Sequence, residues 1–434
     1  MNEQRVPYRV ACYTLGCKVN GYESQAMLEQ FERAGWTIVE ADQAADVYLV
    51  NTCTVTQIAA HKSRQILNRI ARLNPDALVV ACGCYVDQKE RQQEPLGGAC
   101  GLIVTNREKP HIVQLVEARL DLPADEGRDF YISSSGAHTR AFLKVQDGCR
   151  QFCSYCIIPY VRGPLVSKPL EQAMQEARML SESGCREIVL TGIHLSSYGR
   201  DLPEDIGLAD LILALEAVEG LDRIRLGSLE VGLIDDAFIA RVRDCRKLCP
   251  HFHLSLQSGC EKTLKAMNRR YTPDQFMEAV QRIRAAFPDA AITTDVITGF
   301  PGETDKDFEE SLQFVHDVSF ADLHVFPYSP REGTAAAQRK DQIDKSVKQE
   351  RSSRMIELGA ALQRQFGAAY SGKDVEVLTE EYDPEQDVWV GYTPNYLRVH
   401  VHGMIQRNQL IPVHIENVHQ TNNGIYAEGF YDER

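Results

Sequence analysis

The chain has 434 residues, of which 44% are hydrophobic and 25% charged, and its formal net charge is −14. This length predicts about two to four domains, each with a core of its own. The net negative charge argues against a protein whose whole surface is basic and binds nucleic acid, but it is compatible with a local RNA-binding patch. No apolar run approaches membrane-spanning length, and residues 1–10 contain no apolar signal region, so we expect no membrane partner.

The thirteen cysteines are an odd number, and they lie in apolar, strand-like stretches of a large chain. This usage is typical of reduced thiols and metal ligands rather than of a secreted disulfide framework. The sequence therefore predicts a cytoplasmic protein.

Strands and helices alternate from Arg5 to about Ile132, which favours a parallel sheet covered by helices. We assign residues 5–132 to an N-terminal α/β domain. The predicted strands are Arg9–Leu15, Trp36–Glu40, Asp46–Asn51 and Leu78–Gly83, and the predicted helices are Glu23–Ala34 and Gln57–Leu73.

Cys17, Cys53 and Cys84 each fall just past the carboxyl end of a predicted strand. Sites in open α/β sheets converge at that edge. Three unrelated small core residues could have the same pattern, since free cysteine is often buried. Their shared position favours a three-thiolate cluster site.

Strand–helix units repeat six times between His138 and Gln365, which predicts a partial, open TIM-like barrel over residues 138–367. Its chemistry is expected at the carboxyl ends of the strands. The predicted strands are Ala141–Gln146, Glu187–Thr191, Arg223–Gly227, Phe252–Gln257, Ala291–Ile297 and Asp322–Phe326.

A C-x3-C-x2-C run, Cys149–Cys153–Cys156, follows the first barrel strand. A reduced structural triplet and part of a zinc site are the alternatives, but zinc prefers four closed ligands. Three thiolates better suit a 4Fe–4S cluster that keeps one iron open. The spacing is the radical S-adenosylmethionine (SAM) signature, and Tyr155 is the aromatic residue usual before the last cysteine.

Polar residues and glycines mark the ends of the later barrel strands. Each alone is weak evidence because turns also use such residues, but six positions in register around one barrel mouth predict a ligand site. With Tyr155, the predicted contacts are Thr191, Gly192, Glu230, Gln257, Asp295, Ile297 and Gly299. By analogy to the fold, Thr191 and Gly192 would lie near the amino-acid end of SAM, and the last three residues of this list would lie near its adenosine.

A helical connector, Ala335–Gly367, contains seven basic and four acidic residues between positions 337 and 367. A solvated helix face is favoured slightly over an RNA contact.

Five short strands then predict a small OB-like barrel over residues 370–434, although residues 368–434 have a net charge of −7. Arg398, His400, His402 and Arg407 are its candidate phosphate contacts. Tyr392 and Tyr396 could either stack on bases or pack internally.

Several motifs together resemble the methylthiotransferase family over nearly the whole chain, and the C-terminal segment resembles a TRAM domain. Within the family, the wording T-L-G-C-K-V-N is most similar to the branch that acts on N6-threonylcarbamoyladenosine (t6A) at position 37 of tRNA. The motifs begin at Thr14 (T-L-G-C-K-V-N), Asn51 (N-T-C-T-V), Gly83 (G-C-Y), Cys149 (the cysteine run followed by I-I-P and R-G), Leu256 (L-Q-S-G), Met267 (M-N-R-R-Y) and Gly299 (G-F-P-G-E-T).

The resemblance implies SAM and two 4Fe–4S clusters, one on Cys17, Cys53 and Cys84 and one on Cys149, Cys153 and Cys156. The family's Gly-Cys-aromatic step selects Cys84 over Cys82. The implied reaction places a methylthio group on C2 of t6A, which needs radical chemistry because that C–H bond is strong and not acidic. Implied partners are a tRNA anticodon stem-loop, an electron donor such as a flavodoxin or ferredoxin, and a sulfur source.

Two other functions remain open on the sequence. A sister methylthiotransferase would act on isopentenyl-adenosine at position 37 of tRNA or on a ribosomal-protein aspartate, and an acidic TRAM-like domain would suit a basic protein partner. A non-catalytic iron–sulfur RNA-binding protein is the second alternative, but it would need no SAM pocket.

Overall fold

The computed structural model describes residues 7–54, 57–97, 99–123, 129–136, 139–421 and 424–431. Arg5, His138 and Arg434, which bound the predicted domains, lie outside this part of the chain, as does Val55 of the second cysteine motif. Contacts group the chain into two compact units, residues 1–133, 142–152 and 156–166 on the one hand, and residues 134–141, 153–155 and 167–434 on the other. The division into three domains stays a prediction.

The first unit is built on a five-stranded sheet in the order β2-β1-β3-β4-β5, and all neighbouring strands are parallel, as predicted. Apolar clusters from helices cover both of its faces. Its elements are β1 (Arg9–Thr14), α1 (Lys18–Arg33), β2 (Thr37–Ile38), β3 (Val47–Thr52), α2 (Gln57–Leu73), β4 (Leu78–Gly83), α3 (Cys84–Gln92), β5 (Leu102–Val104) and α4 (Ile112–Arg119).

Two differences from the predicted elements concern the cysteines. Helix α1 begins at Lys18 rather than Glu23, so Cys17 is the residue immediately before it. Helix α3, absent from the prediction, begins at Cys84 itself. Helix α3 starts directly after β4, whereas three residues separate α1 from the end of β1, and neither start has a side-chain cap that would mark it in the sequence.

The second unit contains the later barrel strands. Strands β8 and β9 pair in parallel, and β10-β11-β12-β13 form a parallel sheet. All six predicted barrel strands are present. Residues 142–147 of the first barrel strand and helix α5 belong to the first unit. The elements from the first to the last barrel strand are β6 (Arg140–Asp147), α5 (Ile158–Arg162), β7 (Val166–Ser167), α6 (Leu170–Glu182), β8 (Glu187–Gly192), α7 (Leu208–Glu216), β9 (Arg223–Leu226), β10 (Ser228–Leu229), α8 (Asp236–Val242), β11 (His251–Leu254), α9 (Glu261–Ala266), α10 (Pro273–Ala286), β12 (Ala291–Thr298), α11 (Asp305–Val318) and β13 (Asp322–Pro327).

The predicted connector is shorter as a helix than the sequence indicates, because α12 covers only Lys345–Ala368. Its basic residues are largely used within the fold. Buried Arg351 binds Glu303, and Arg354 binds Glu309. The helices in the described ranges are all too short or too polar to cross a membrane.

The C-terminal segment forms a closed five-stranded barrel in the order β14-β15-β16-β18-β17, which confirms the predicted small all-β fold. Its core holds Val377, Val399, Val413 and Ile415. The strands are β14 (Asp374–Asp383), β15 (Val388–Tyr392), β16 (Arg398–His402), β17 (Leu410–Thr421) and β18 (Gly424–Phe430).

Candidate cluster and cofactor sites

The carboxyl ends of three neighbouring strands lie in register in the first unit. Thr14 pairs with Asn51, and Thr52 pairs with Gly83. The three predicted ligands of the second cluster, called the auxiliary cluster below, follow these ends within three residues: Cys17 after β1, Cys53 after β3 and Cys84 after β4. The parallel sheet therefore brings all three cysteines to one edge.

Two glycines allow this edge to pack closely. A Cβ at Gly16 would lie 2.9 Å from the Cβ and Sγ atoms of Cys53. A Cβ at Gly83 would overlap the carbonyl oxygen of Thr52. Both residues have positive φ angles, 109° and 96°, which favour glycine. The backbone beside the cysteines thus has no room for side chains at these two positions.

Arg162 joins the Cys84 sulfur to a buried carboxylate. Its Nε donates to Cys84 Sγ at 3.2 Å, its Nη1 donates to Glu23 at 2.5 Å, and its Nη2 donates to Asn20 Oδ1 at 2.7 Å. The amide of Asn106 also lies 3.9 Å from the same sulfur. The arginine side chain is fully buried, so its charge acts in a low-dielectric environment.

Glu23 receives three cations in this buried network, namely Arg162, Lys109 and Lys144. Burial of the carboxyl group raises its pKa, but the three cations outweigh that effect and hold the pKa well below its usual range. Asn20 donates to the carbonyl oxygens of Leu15, at 2.7 Å, and Thr52, at 3.0 Å. The network therefore ties helix α1 to the strand ends that precede Cys17 and Cys53.

The structure distinguishes Cys84 from its neighbour Cys82. Cys82 lies in the apolar core of the sheet, and burial raises its pKa to about 12. Burial also raises the pKa of Cys84, and Lys109 opposes the rise at both thiols, but only Cys84 has the opposing charge of Arg162 as well. The hydrogen bond from Arg162 therefore favours Cys84 as the ligand and Cys82 as a packing residue.

In the second unit, Arg269 donates to the sulfur of Cys153, as Arg162 does to that of Cys84. Its Nη1 donates to Cys153 Sγ at 3.4 Å, while its Nη2 donates to Glu230 at 2.6 Å and to the Ser255 carbonyl at 3.0 Å. Ser154 donates through its backbone N–H to the carbonyl of Met267 at 2.9 Å. Two predicted site residues, Cys153 and Glu230, are thus joined through one arginine.

Cys149 and Cys156 belong to the first unit. The backbone N–H of Cys149 donates to the Gly163 carbonyl at 3.2 Å, and the Gln151 N–H donates to Cys149 Sγ at 3.4 Å. Both cysteines are half-buried. This partial exposure suits ligands that must stay accessible.

Two of the predicted SAM contacts, Tyr155 and Ile297, pack against an apolar cluster that contains Met267 and Phe300. Gln257 is joined by backbone hydrogen bonds to both Asp295, at 2.8 Å, and Ile297, at 2.9 Å. Gly299 directly follows β12, and its N–H donates to Glu303 at 2.8 Å. Thr191 and Gly192 form the carboxyl end of β8.

Asp295 lies within β12, and its carboxylate faces His253 and His324. Burial raises the pKa of Asp295, but the two imidazoles outweigh burial and lower it. Neither histidine was singled out in the sequence as a site residue.

The tyrosines of the C-terminal barrel are used in packing. Tyr392 and Tyr396 stack with ring centroids 4.9 Å apart, and the Arg140 guanidinium lies 4.7 Å and 5.1 Å from the two rings. Among the candidate phosphate contacts, His400 stacks on Tyr426 and is buried. The rings of Tyr392 and Tyr396 thus have packing partners, Tyr396 is nevertheless 38% exposed, and base stacking by these tyrosines stays a prediction.

The residues present fit iron–sulfur clusters. Cys84 and Cys153 each accept a hydrogen bond from an arginine, and such bonds to sulfur stabilise and tune Fe–S clusters. Sequence reasoning quoted Arg162 and Arg269 only as motif letters and did not identify Glu23 or Lys109. The available signal for Arg162 and Arg269 was a charged residue inside a family motif, whereas Glu23 and Lys109 lie outside the quoted motifs.

Two family descriptions match this chain. Residues 143–315 match the Radical SAM superfamily, and residues 9–102 match the uncharacterized protein family UPF0004. The first match contains the C-x3-C-x2-C run, and the second contains the three strand-end cysteines.

Solved structures are similar in fold. The cobalamin- and [4Fe-4S]-bound radical SAM methyltransferase TsrM from Kitasatospora setae aligns with a TM-score of 0.55 and 14% identity, over 76% of this chain and 77% of its own. The cobalamin-dependent SAM radical enzyme OxsB aligns with a TM-score of 0.51 and 10% identity, over 83% of this chain and 56% of its own. These likenesses confirm the fold of a radical SAM enzyme.

Curated relatives are considerably more similar in sequence. The threonylcarbamoyladenosine tRNA methylthiotransferase of Bacillus subtilis is 38% identical over 90% of this chain and 89% of the relative. The tRNA-2-methylthio-N6-dimethylallyladenosine synthase of Thermoanaerobacter pseudethanolicus is 35% identical over 85% of this chain and 81% of the relative. Identity of this extent over most of both chains shows that the chain belongs to the radical SAM methylthiotransferase family.

Proposed function

We propose that this chain replaces the C2 hydrogen of t6A at position 37 of tRNA with a methylthio group. The observation that carries the proposal is that one cysteine of each predicted ligand set, Cys84 and Cys153, accepts a hydrogen bond from an arginine. One site alone would suit a generic radical SAM enzyme. The second provides a place for sulfur chemistry.

When bound, the cluster on Cys149, Cys153 and Cys156 supplies the electron that cleaves SAM, and the auxiliary cluster supplies or holds the sulfur. Arg269 orients Cys153 and balances its negative charge. Tyr155 and Ile297, two of the predicted SAM contacts, contribute apolar surface, which would help to exclude water from a reactive radical. Arg162 holds Cys84 in place through the buried Glu23.

The t6A substrate is supported by the wording of the first cysteine motif and by the relatives. Four relatives named for t6A are 34–38% identical and match 89–96% of this chain. Relatives named for dimethylallyladenosine match a shorter part, 85%. The dimethylallyl substrate is therefore the second candidate. Position 37 lies in an anticodon loop, where an unstacked base can enter a pocket.

The reaction also requires partners. The proposed set comprises the tRNA anticodon stem-loop, an electron donor of the flavodoxin or ferredoxin class, and a sulfur source. A tRNA substrate and reduced cysteines support a cytoplasmic location.

Nucleoside mass spectrometry of tRNA tests the substrate. Cells that lack this gene should lose 2-methylthio-t6A, and the wild-type gene should restore it. A Cys100→Ser variant, which alters a half-buried cysteine outside both sites, serves as control and should also restore it. Persistence of 2-methylthio-t6A with loss of the dimethylallyl product would favour the second candidate.

Anaerobic assays with purified protein separate the two cysteine sites. The triple variant Cys17→Ser, Cys53→Ser, Cys84→Ser should still cleave SAM to 5′-deoxyadenosine but form no methylthio product. The triple variant Cys149→Ser, Cys153→Ser, Cys156→Ser should do neither. Methylthio transfer by the first variant would contradict the assigned role of the auxiliary site.

A further inference from the structure

Two histidines and an aspartate lie together on adjacent strands of the second unit, and neither cysteine site uses them. His253 is on β11, Asp295 is on β12 and His324 is on β13. One ligand atom from each side chain can be chosen so that all three atoms lie within 4.8 Å of one another.

The register of the parallel sheet produces this grouping. His253 pairs with Thr293, and Asp295 pairs with His324. Thr293 and Asp295 are two residues apart on one strand, so their side chains share a face of the sheet. The three side chains therefore project from neighbouring strands, about 4.8 Å apart, on the same face. Their positions are set by the backbone of three strands rather than by a loop.

The distances between the side-chain atoms suit a bound ion. His253 Nε2 lies 3.3 Å from Asp295 Oδ2, and His324 Nδ1 lies 3.2 Å from Asp295 Oδ1. Ligands of a tetrahedral ion with bonds of about 2.0–2.1 Å are separated by roughly 3.3–3.4 Å, so both separations are compatible with one shared ion. The His324–Asp295 contact is also within hydrogen-bonding distance in the absence of an ion.

The outer nitrogens of the two imidazoles differ in their partners. His324 Nε2 lies 3.9 Å from a carboxylate oxygen of Asp322, which is too far for a hydrogen bond. His253 Nδ1 lies 3.0 Å from the hydroxyl of Thr293, and this hydrogen bond orients the ring. Metal-binding histidines characteristically engage their second nitrogen in this way, which fixes the tautomer and the ring orientation. One nitrogen of each ring is thus directed toward Asp295.

Burial differs across the cluster. The side chain of His253 is 12% exposed, that of Asp295 is 30% exposed and that of His324 is 54% exposed. The cluster is therefore anchored on its inner side and open on its outer side. An ion held here could keep a position for water or for an oxygen atom of a ligand, as catalytic zinc ions with three protein ligands do.

We propose that His253, Asp295 and His324 bind a divalent transition-metal ion, for which Zn²⁺ is the probe. Two imidazole nitrogens and one carboxylate suit Zn²⁺ or Fe²⁺, whereas Mg²⁺ and Ca²⁺ prefer sets of oxygen ligands. The site is separate from the six cluster cysteines and does not depend on the proposed tRNA substrate. It assigns Asp295 a role other than the SAM contact predicted from the sequence.

Metal analysis of the anaerobically reconstituted holoenzyme tests the proposal without any turnover. After equilibrium dialysis against buffered Zn²⁺, the wild-type protein should hold one more zinc ion per chain than the Asp295→Asn and His324→Ala variants, with equal iron content. The control is His414→Ala, which alters an exposed histidine whose Nδ1 lies 2.8 Å from Asp374 in a simple pair. This control should retain the additional zinc.

The coordination shell and a binding measurement provide the decisive readouts. Zinc X-ray absorption should show nitrogen and oxygen ligands at about 2.0–2.1 Å, with no sulfur at about 2.3 Å. A sulfur shell would place the zinc in a cysteine site and overturn the proposal, as would equal zinc content in all four proteins. Weaker SAM binding by Asp295→Asn, without any zinc bound by the wild type, would assign Asp295 to SAM instead.

Discussion

Arg162 and Arg269 each donate an N–H group to a cysteine sulfur, but their surroundings differ. The Arg162 side chain is fully buried, and its partner Glu23 is 2% exposed. The Arg269 side chain is 5% exposed, whereas its partner Glu230 is 20% exposed. The network at Cys84 is closed and contains two further lysines, while the one at Cys153 reaches accessible surface.

This difference agrees with the two roles proposed for the sites. A site that must admit SAM needs an open side, and Glu230 is among the residues predicted to contact it. A site that retains sulfur is better protected when the side chains around it are buried and held in place. Both networks use an arginine at the sulfur, and they differ in how exposed the carboxylate that binds the arginine is.

The largest effect is expected from Arg162→Ala. Removing one member of a buried ion network leaves Glu23 with less compensation, which should lower the free energy of unfolding by about 3–5 kcal/mol. Anaerobic urea denaturation followed by circular dichroism measures this, and iron analysis should show about four fewer iron atoms per chain. Arg354→Ala, which breaks an exposed pair with Glu309, should cost at most about 1 kcal/mol. Equal losses in both variants would refute the closed-network description.

Gly83→Ala tests whether the strand edge must pack closely. The added Cβ would overlap the Thr52 carbonyl, in addition to the strain of a positive φ, so we expect a loss of more than about 3 kcal/mol. Gly35→Ala has a similar φ of 82° but meets open space, and should cost only about 1–2 kcal/mol. Thermal or urea denaturation of both variants gives the comparison. A similar cost for both would mean that φ alone determines the effect.

Arg269→Gln tests the open site. Loss of the contact to Cys153 should reduce the rate of SAM cleavage about 10- to 100-fold, as for other residues that orient metal ligands. The iron content should be unchanged, and the reduction potential of the SAM cluster should become more negative because a nearby positive charge is removed. Redox titration followed by electron paramagnetic resonance measures the potential. Exposed Arg270→Gln is the control, and a potential unchanged by Arg269→Gln would leave that residue without a tuning role.

The smallest effect concerns Asp87, on the first turn of α3 near Cys84. Burial raises the pKa of Asp87 to about 6. The folded state therefore binds more protons than the unfolded state between pH 4 and 6, so this group costs stability as pH rises through that range. Asp87→Asn should increase stability, and its advantage should grow by roughly 1 kcal/mol between pH 5.5 and 8.

Urea denaturation at the two pH values measures the effect of Asp87→Asn. Asp341→Asn is the control, because a hydrogen bond from Arg339 lowers the pKa of this exposed carboxyl group. Its effect on stability should be the same at both pH values. A constant effect of Asp87→Asn would show that its carboxyl group is already ionised at pH 5.5.

Much of the fold could be predicted from the sequence where local signals are strong. The bounds of α2 and β4 agree with the prediction because a long amphipathic period and a continuous apolar run are unambiguous. Helix α3 was missed because it is short and polar and has no side-chain cap. The cysteine ligand sets, which were assigned from strand-end positions, spacing and family motifs, stay a prediction.

The sequence by itself determined the kind of chemistry, since the spacing of Cys149, Cys153 and Cys156 is a property of eight consecutive residues. Only the tertiary structure decided which charges meet the sulfurs. Arg162 and Glu23 are 139 positions apart, and Asp295 meets its two histidines through strand register. Local spacing is imposed by the covalent chain, whereas these long-range pairs depend on how whole elements pack and on the free-energy cost of burying an unpaired charge.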